Sequence, residues 1–241
     1  KRGGAFCSPG TPPDHPWVMV NFAGRTENVF TLAHELGHGL HFQLALEQSP
    51  LNYHCGLPLA ETASVFAELW LHELLMEQAS TDQERVRLLT RQVQSAFGTA
   101  FHQVAYVNWE LRAHRARAEG VVSPEQLCSM WAEEMQRCWG PEVAMSEGDR
   151  WRWITIPHFI FARFYCYSYA FGKLLTLSLH RLWRDRGEDF VQDYIALLSA
   201  GGAKAPVDLF AAIGLDLSDP AFWQGGLDVV AGYMDELDEL A

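Results

Sequence analysis

His34, Glu35 and His38 stand in the order H-E-x-x-H, and His41 follows three positions later. On an α-helix, positions i and i+4 are only about 40° apart around the axis. Two imidazoles placed this way can both reach one tetrahedral metal ion. Glu35 then points about 100° away from His34, beside the metal rather than at it. That is where a general base for a metal-bound water sits. The chemistry open to this spacing is hydrolysis assisted by a divalent cation.

A catalytic zinc normally takes three protein ligands, so a further one is needed. Glu61 is the best candidate. Leu57, Leu59, Ala60, Ala63, Val65 and Phe66 make its surroundings apolar, and a buried carboxylate must be paired or bound to a cation. Between His38 and Glu61 there is room for a helix end, a loop and a return helix. Glu68 lies about two turns beyond Glu61, nearly on the same face. It either orients a histidine ligand from behind or sits on a solvated face. His41 shares the face of His34 and His38 and can touch a ligand or a substrate; as a ligand it is the weaker choice, since Glu61 completes the set. Glu73 and Glu77 read as solvated, as do Arg85, Arg87 and Arg91. Gly37 and Gly39 each cost a helix interior about 1 kcal/mol relative to Ala. Two of them beside the histidines imply close approach of another group.

A third region runs from Ile156 to Tyr169. Amide hydrolysis develops negative charge on the carbonyl oxygen, and donors aimed at it contribute several kcal/mol. His158 and tyrosine hydroxyls are suitable donors. Tyr165 and Tyr169 share a helical face, whereas Tyr167 points elsewhere. Phe159, Phe161 and Phe164 read as core.

The elements that must position these groups follow from pattern. Residues 1–25 alone have strand character: Pro16 to Phe22 is β-branched and aromatic, and Gly4 to Cys7 can pair with it across a Pro- and Gly-rich loop. From 26 onward the pattern is helical. Thr26 or Asn28 caps a helix running to about Glu47. Leu59 to about Ala79 forms a second helix, and a long one runs from Ser80 to Glu119. Ser123-Pro124-Glu125 opens another to Trp139, and a loop covers 140–150. An aromatic helix spans His158 to Gly187, and Glu188 to Ser199 is helical up to the Gly201-Gly202 break. Two shorter helices close the chain at 207–213 and 219–237, and the acidic end is a frayed, solvated terminus. No repeat or linker divides the chain, so residues 1–241 read as a single, mostly α domain.

Composition narrows the function classes. A formal net charge of -12 argues against nucleic-acid binding, which needs basic patches. No apolar run is long enough to span a membrane, and no signal peptide is evident. The 5 cysteines are scattered without a C-x-x-C, which suits reduced thiols and a cytoplasmic location.

Several stretches taken together resemble one family. They are Lys1-Arg2-Gly3-Gly4-Ala5-Phe6-Cys7, His15-Pro16, Phe30 through His41, Ala60-Glu61-Thr62-Ala63-Ser64 with Glu68, Ile156-Pro157-His158-Phe159 through Tyr169-Ala170, and Leu198-Ser199-Ala200-Gly201-Gly202. In this order they resemble the catalytic part of oligoendopeptidase F-type enzymes, in the thimet-oligopeptidase-like family of zinc metallopeptidases. The resemblance implies a zincin-like helical metallopeptidase domain with a small β-hairpin or sheet edge near the N-terminus and a deep substrate channel. It implies Zn2+ held by His34, His38 and Glu61, with Glu35 as base and proton shuttle. It also implies that His158 and a tyrosine, Tyr169 first and Tyr165 assisting, stabilise the tetrahedral intermediate. Substrates are then internal bonds of short peptides, because the channel excludes folded proteins. Two departures stand out. Full chains of that family carry a helical region before this starting point, which forms one channel wall, so this chain reads as the C-terminal part of a longer peptidase. Arg163, Cys166 and Ser168 replace residues expected in the tyrosine-rich segment, which bears on substrate preference. The alternatives are a metallocarboxypeptidase trimming peptide C-termini and a catalytically idle peptide-binding fragment.

Overall fold

A two-stranded hairpin opens the chain. In the computed structural model, which describes residues 4–240, β1 (Ala5–Ser8) pairs antiparallel with β2 (Trp17–Val20), Ala5 opposite Val20 and Ser8 opposite Trp17. Lys1, Arg2 and Gly3 of the first motif, and the side chain of Leu57, lie outside the described residues. A lone hairpin is marginal in water, and this one rests against the first helix, α1 (Thr26–Leu44). The expected cap of α1 needs correction. Arg25 is the flanking residue, and Asn28 works from inside the first turn, its Oδ1 accepting from Ala23 N at 2.8 Å and Arg25 N at 3.2 Å.

The expected second helix is divided. A short α2 (Leu57–Ala60) and a long α3 (Thr62–Gln78) meet at Glu61, which belongs to neither. α3 packs along α1. The long helix expected over 80–119 is α4 (Asp82–Ala96) and α5 (His102–Glu119), joined by a π-helical turn at Phe97–Phe101. α6 (Pro124–Trp139) begins as its sequence predicts. Ser123 Oγ accepts from Gln126 N, Gln126 Oε1 accepts from Ser123 N, and Pro124 occupies the first turn, where its missing N–H costs nothing. Part of the expected 140–150 loop is instead the start of a 3-10 segment, Gly148–Thr155.

The aromatic helix expected from His158 to Gly187 is also two helices, α7 (His158–Phe161) and α8 (Tyr167–Arg186). The break has an identifiable cause. Phe164 takes φ 57, a left-handed conformation unusual for a bulky residue. Its N–H donates to Oε1 of the buried Glu110 on α5 at 2.9 Å, a bond no helix can supply. Of the three phenylalanines expected in the core, Phe159 packs there, while Phe161 and Phe164 are exposed. α9 (Glu188–Ser199), α10 (Pro206–Ala212) and α11 (Pro220–Leu240) complete the chain, and Glu236 near its end is ion-paired to Arg85 rather than solvated.

The helices gather into two compact units: residues up to Val93 together with those from Gly172 onward, and residues Gln94–Phe171. The first is cored by Phe30, Leu69, Leu89, Leu175, Phe190 and Leu198, all nearly or wholly inaccessible. The second is cored by Trp109, Trp131 and Met135, with Tyr106, Trp153 and Phe159 packed around them.

Candidate metal centre and active site

α1 places His34 and His38 one turn apart, and their Nε2 atoms lie 3.2 Å from each other. The α2–α3 junction delivers Glu61 to the same point. Its Oε2 is 3.4 Å from His34 Nε2 and 3.6 Å from His38 Nε2. Donor atoms bound to one tetrahedral zinc at about 2.0–2.1 Å are separated by roughly 3.3–3.4 Å. The three atoms already sit near that spacing, and among the described residues this is the group able to hold a metal ion.

The outer contacts explain why the lone pairs face inward. His34 Nδ1 donates to Glu68 Oε1 at 2.8 Å, which leaves the His34 Nε2 lone pair directed at His38 and Glu61. Ser64 Oγ lies 2.8 Å from Glu61 Oε2 and 3.1 Å from the Glu61 carbonyl oxygen, fixing the junction carboxylate. With His34 Nδ1 given to Glu68, its Nε2 lone pair converges on His38 Nε2 and Glu61 Oε2, an arrangement that suits a cation. The residues present fit zinc.

The surrounding charges act in opposed directions. Burial works to lower His34, but the Glu68 hydrogen bond and the Glu68, Glu61 and Glu35 charges outweigh it and hold the imidazole above its usual pKa. Burial, aided by the neighbouring His34, lowers His38 against the pull of Glu61. Glu68 resists its burial through hydrogen bonds from His34 and Arg91, which keep it below the ordinary carboxylate range. Burial pushes His41 down to about 4, so it is a neutral packing group, inside the fold beside Phe42 and outside the converging set. Glu35 is buried next to His34, and burial of the Cys7 thiol, helped by the Glu35 charge, raises that thiol.

The glycines beside the histidines divide in role. A Cβ on Gly37 would lie 2.5 Å from the Ala63 carbonyl oxygen and 2.6 Å from Ser64 Cα. The group that comes close here is therefore the backbone of α3. A Cβ on Gly39 would meet only Val18 Cγ2 at an ordinary 3.6 Å.

His158, Tyr165 and Tyr169 form a cluster of their own in the second unit. The Tyr169 hydroxyl is 3.3 Å from His158 Nε2. The His158 and Tyr165 rings stack at 5.0 Å, and the Tyr165 and Tyr169 rings meet at 5.2 Å. Tyr167 is exposed and outside the cluster. Two residues escaped the sequence reading. Ser64 lay inside a quoted motif without a role. Arg91, expected on a solvated face, is mostly buried and bonded to Glu68, while Arg87 is exposed as expected. The Glu68–Arg91 pairing has no local signal, because the partners sit on different helices.

A helical fold that gathers two histidines and a glutamate in this way defines a class, and comparison gives the family. Residues 1–229 match peptidase family M3, and the chain belongs to that family. It is 28% identical over 242 residues to oligopeptidase PepF of Bacillus subtilis, covering 100% of this chain and 36% of that protein. It is 30% identical over 243 residues to the plasmid-encoded oligoendopeptidase F of Lactococcus lactis subsp. cremoris, covering 100% of this chain and 40% of that one. The crystal structure of oligoendopeptidase-F from Enterococcus faecium matches with a TM-score of 0.75 at 26% identity, over 89% of this chain and 38% of its own. A solved structure from Chlamydophila abortus matches with a TM-score of 0.90 at 28% identity, over 100% of this chain and 40% of its own. The chain thus spans between 36% and 41% of the length of the curated relatives it matches.

Proposed function

We propose that this chain is the catalytic part of a zinc-dependent oligoendopeptidase, which hydrolyses internal bonds of short peptides. The observation that carries the reading is the convergence of His34 Nε2, His38 Nε2 and Glu61 Oε2 within 3.2–3.6 Å, with His34 backed by Glu68. When bound, zinc supplies Lewis-acid polarisation of the scissile carbonyl and lowers the pKa of water. Glu35 takes the proton of the attacking water and returns it to the leaving amine. His158 and Tyr169, with Tyr165 assisting, are assigned as donors to the carbonyl oxygen as it gains charge. The 3.3 Å contact between Tyr169 and His158 supports their acting as a pair. Relatives named oligopeptidase and oligoendopeptidase support a short-peptide substrate. The free cysteines support a reducing, cytosolic setting, and no described helix is long and apolar enough to cross a membrane.

The test uses a quenched fluorescent peptide blocked at both ends. Cleavage is expected with zinc, lost with a chelator and restored by zinc. A Glu35→Gln variant is expected to retain zinc and lose turnover by on the order of 10²–10⁴-fold. Cleavage confined to free C-termini would assign a carboxypeptidase instead. Zinc binding without any cleavage would leave a peptide-binding module.

A further inference from the structure

The carboxylate that holds His34 is itself held. Arg91, on α4, donates from Nη2 to Glu68 Oε2 at 2.9 Å, while Glu68 Oε1 accepts from His34 Nδ1 at 2.8 Å. Each carboxylate oxygen therefore accepts a hydrogen bond, and the two bonds fix the carboxylate plane. The guanidinium is fixed in turn. Its Nε reaches Glu27 Oε2 at 3.3 Å, in the first turn of α1. Its central carbon lies 3.5 Å above the ring of Phe30, which is wholly buried on that same helix. The Arg91 and Glu68 side chains are 20% and 19% exposed. This is a sheltered, stacked site rather than a surface ion pair, whose contribution would be small.

We infer that Arg91 is a positioning residue for the metal centre: its guanidinium fixes Glu68, and Glu68 fixes the His34 imidazole with Nε2 facing His38 and Glu61. The inference rests on the metallopeptidase reading. Its physical basis is rotameric. A glutamate has three rotatable torsions, and one hydrogen bond from an imidazole leaves its carboxylate free to swing. A second bond from a planar donor, itself stacked on Phe30 and tied to Glu27, removes that freedom. An ammonium is a point donor and cannot stack in the same way.

Metal affinity is the readout, measured with zinc against a chromophoric chelator and with cobalt(II) by its visible absorption. Arg91→Ala is expected to weaken binding about tenfold, the low end of the 10–100-fold loss typical when a partner behind a metal ligand is removed. The decisive comparison repeats the change in a Glu68→Ala background. If Arg91 acts through Glu68, the second loss falls below about twofold; a merely structural arginine would give equal losses in both backgrounds. Equal losses, or no loss in the wild-type background, overturn the inference. Circular dichroism of the metal-free variants checks the fold. Where Arg91→Ala does not fold, Arg91→Lys keeps the stem and charge, and the same two-background comparison applies. A wild-type chain that takes up no zinc defeats the metallopeptidase reading itself. A wild-type chain that binds zinc with an affinity indifferent to Arg91 defeats only this inference.

Discussion

Gly37 precedes His38, and its missing side chain sets how closely α1 and α3 approach. A Cβ at 2.5 Å from Ala63 O cannot be absorbed by a side-chain rotation, because the obstacle is backbone. Overpacking of this kind typically costs about 1–3 kcal/mol, against a helix-propensity gain of about 1 kcal/mol. Gly37→Ala is therefore expected to lower stability by up to about 2 kcal/mol. It should also weaken zinc binding, since Glu61 and Glu68 are carried by the displaced segment. Gly39→Ala meets only Val18 Cγ2 at 3.6 Å and is expected to be neutral or stabilising by up to about 1 kcal/mol. Denaturant unfolding of both variants checks the contrast, and equal destabilisation would defeat it. The sequence marks both glycines as costly in a helix, but the cost alone does not say which one faces a neighbour. That depends on the direction from which α3 arrives.

Among the elements, the turn between α7 and α8 depends on one distant carboxylate. Glu110 is 1% exposed, and its Oε2 has no hydrogen-bond partner, so the bond that its Oε1 accepts from Phe164 N carries the interaction. Truncation to alanine removes the partner of the Phe164 N–H and opens a cavity where the buried Glu110 side chain stood. The expected loss is roughly 2–4 kcal/mol. Turnover should fall as well, because Tyr165 and Tyr169 follow the turn directly. Glu110→Gln keeps an acceptor and is expected to cost less than about 1 kcal/mol. Thermal melts with peptide cleavage on both variants test this, and an alanine variant as stable as wild type would exclude the pinning role. This turn was not legible in the sequence. The aromatic run from 158 to 169 keeps its helical spacing across the break, and the residue that breaks it lies 54 positions earlier. The candidate set was legible for the opposite reason. His34 and His38 declare themselves by local spacing, and Glu61 stands among apolar residues in the sequence, although its side chain is 37% exposed and its convergence with the histidines depends on the α2–α3 junction.

At the scale of the whole molecule, the sequence reads as one helical domain, because neither crossing, after Val93 or before Gly172, is marked by a Pro, Gly or charge-rich linker. Glu73, read as a solvated carboxylate, is likewise drawn into the fold. Its Oε1 lies 3.4 Å from Arg184 Nε and 3.4 Å from His180 Nε2, the latter without hydrogen-bond alignment. Around it the first unit encloses two histidines outside the His34–His38–Glu61 group. His180 is wholly buried with neither ring nitrogen hydrogen-bonded, and His72 packs against Tyr233 with its Nδ1 unpartnered. Burial, reinforced by the Arg184, His72 and Lys173 charges, pushes His180 down to about 4. Burial with Arg91 and Lys173 does the same to His72. In the unfolded chain both titrate near 6.5. Between those values the unfolded state binds more protons, so stability rises with pH. The neutral forms therefore contribute in full above about pH 6.5, and the contribution is lost as pH falls toward 4. A shift of this size corresponds to on the order of 3 kcal/mol per group. The two sites feel each other's charge, so the pair is expected to contribute less than twice that. Melting temperatures of the metal-free protein should fall steeply from pH 7 to pH 4. A His180→Leu variant, which removes the group that must charge and leaves no polar atom unpaired, should be at least as stable at pH 4.5 and show a flatter profile. An unchanged slope in that variant would assign the acid sensitivity to the carboxylates instead.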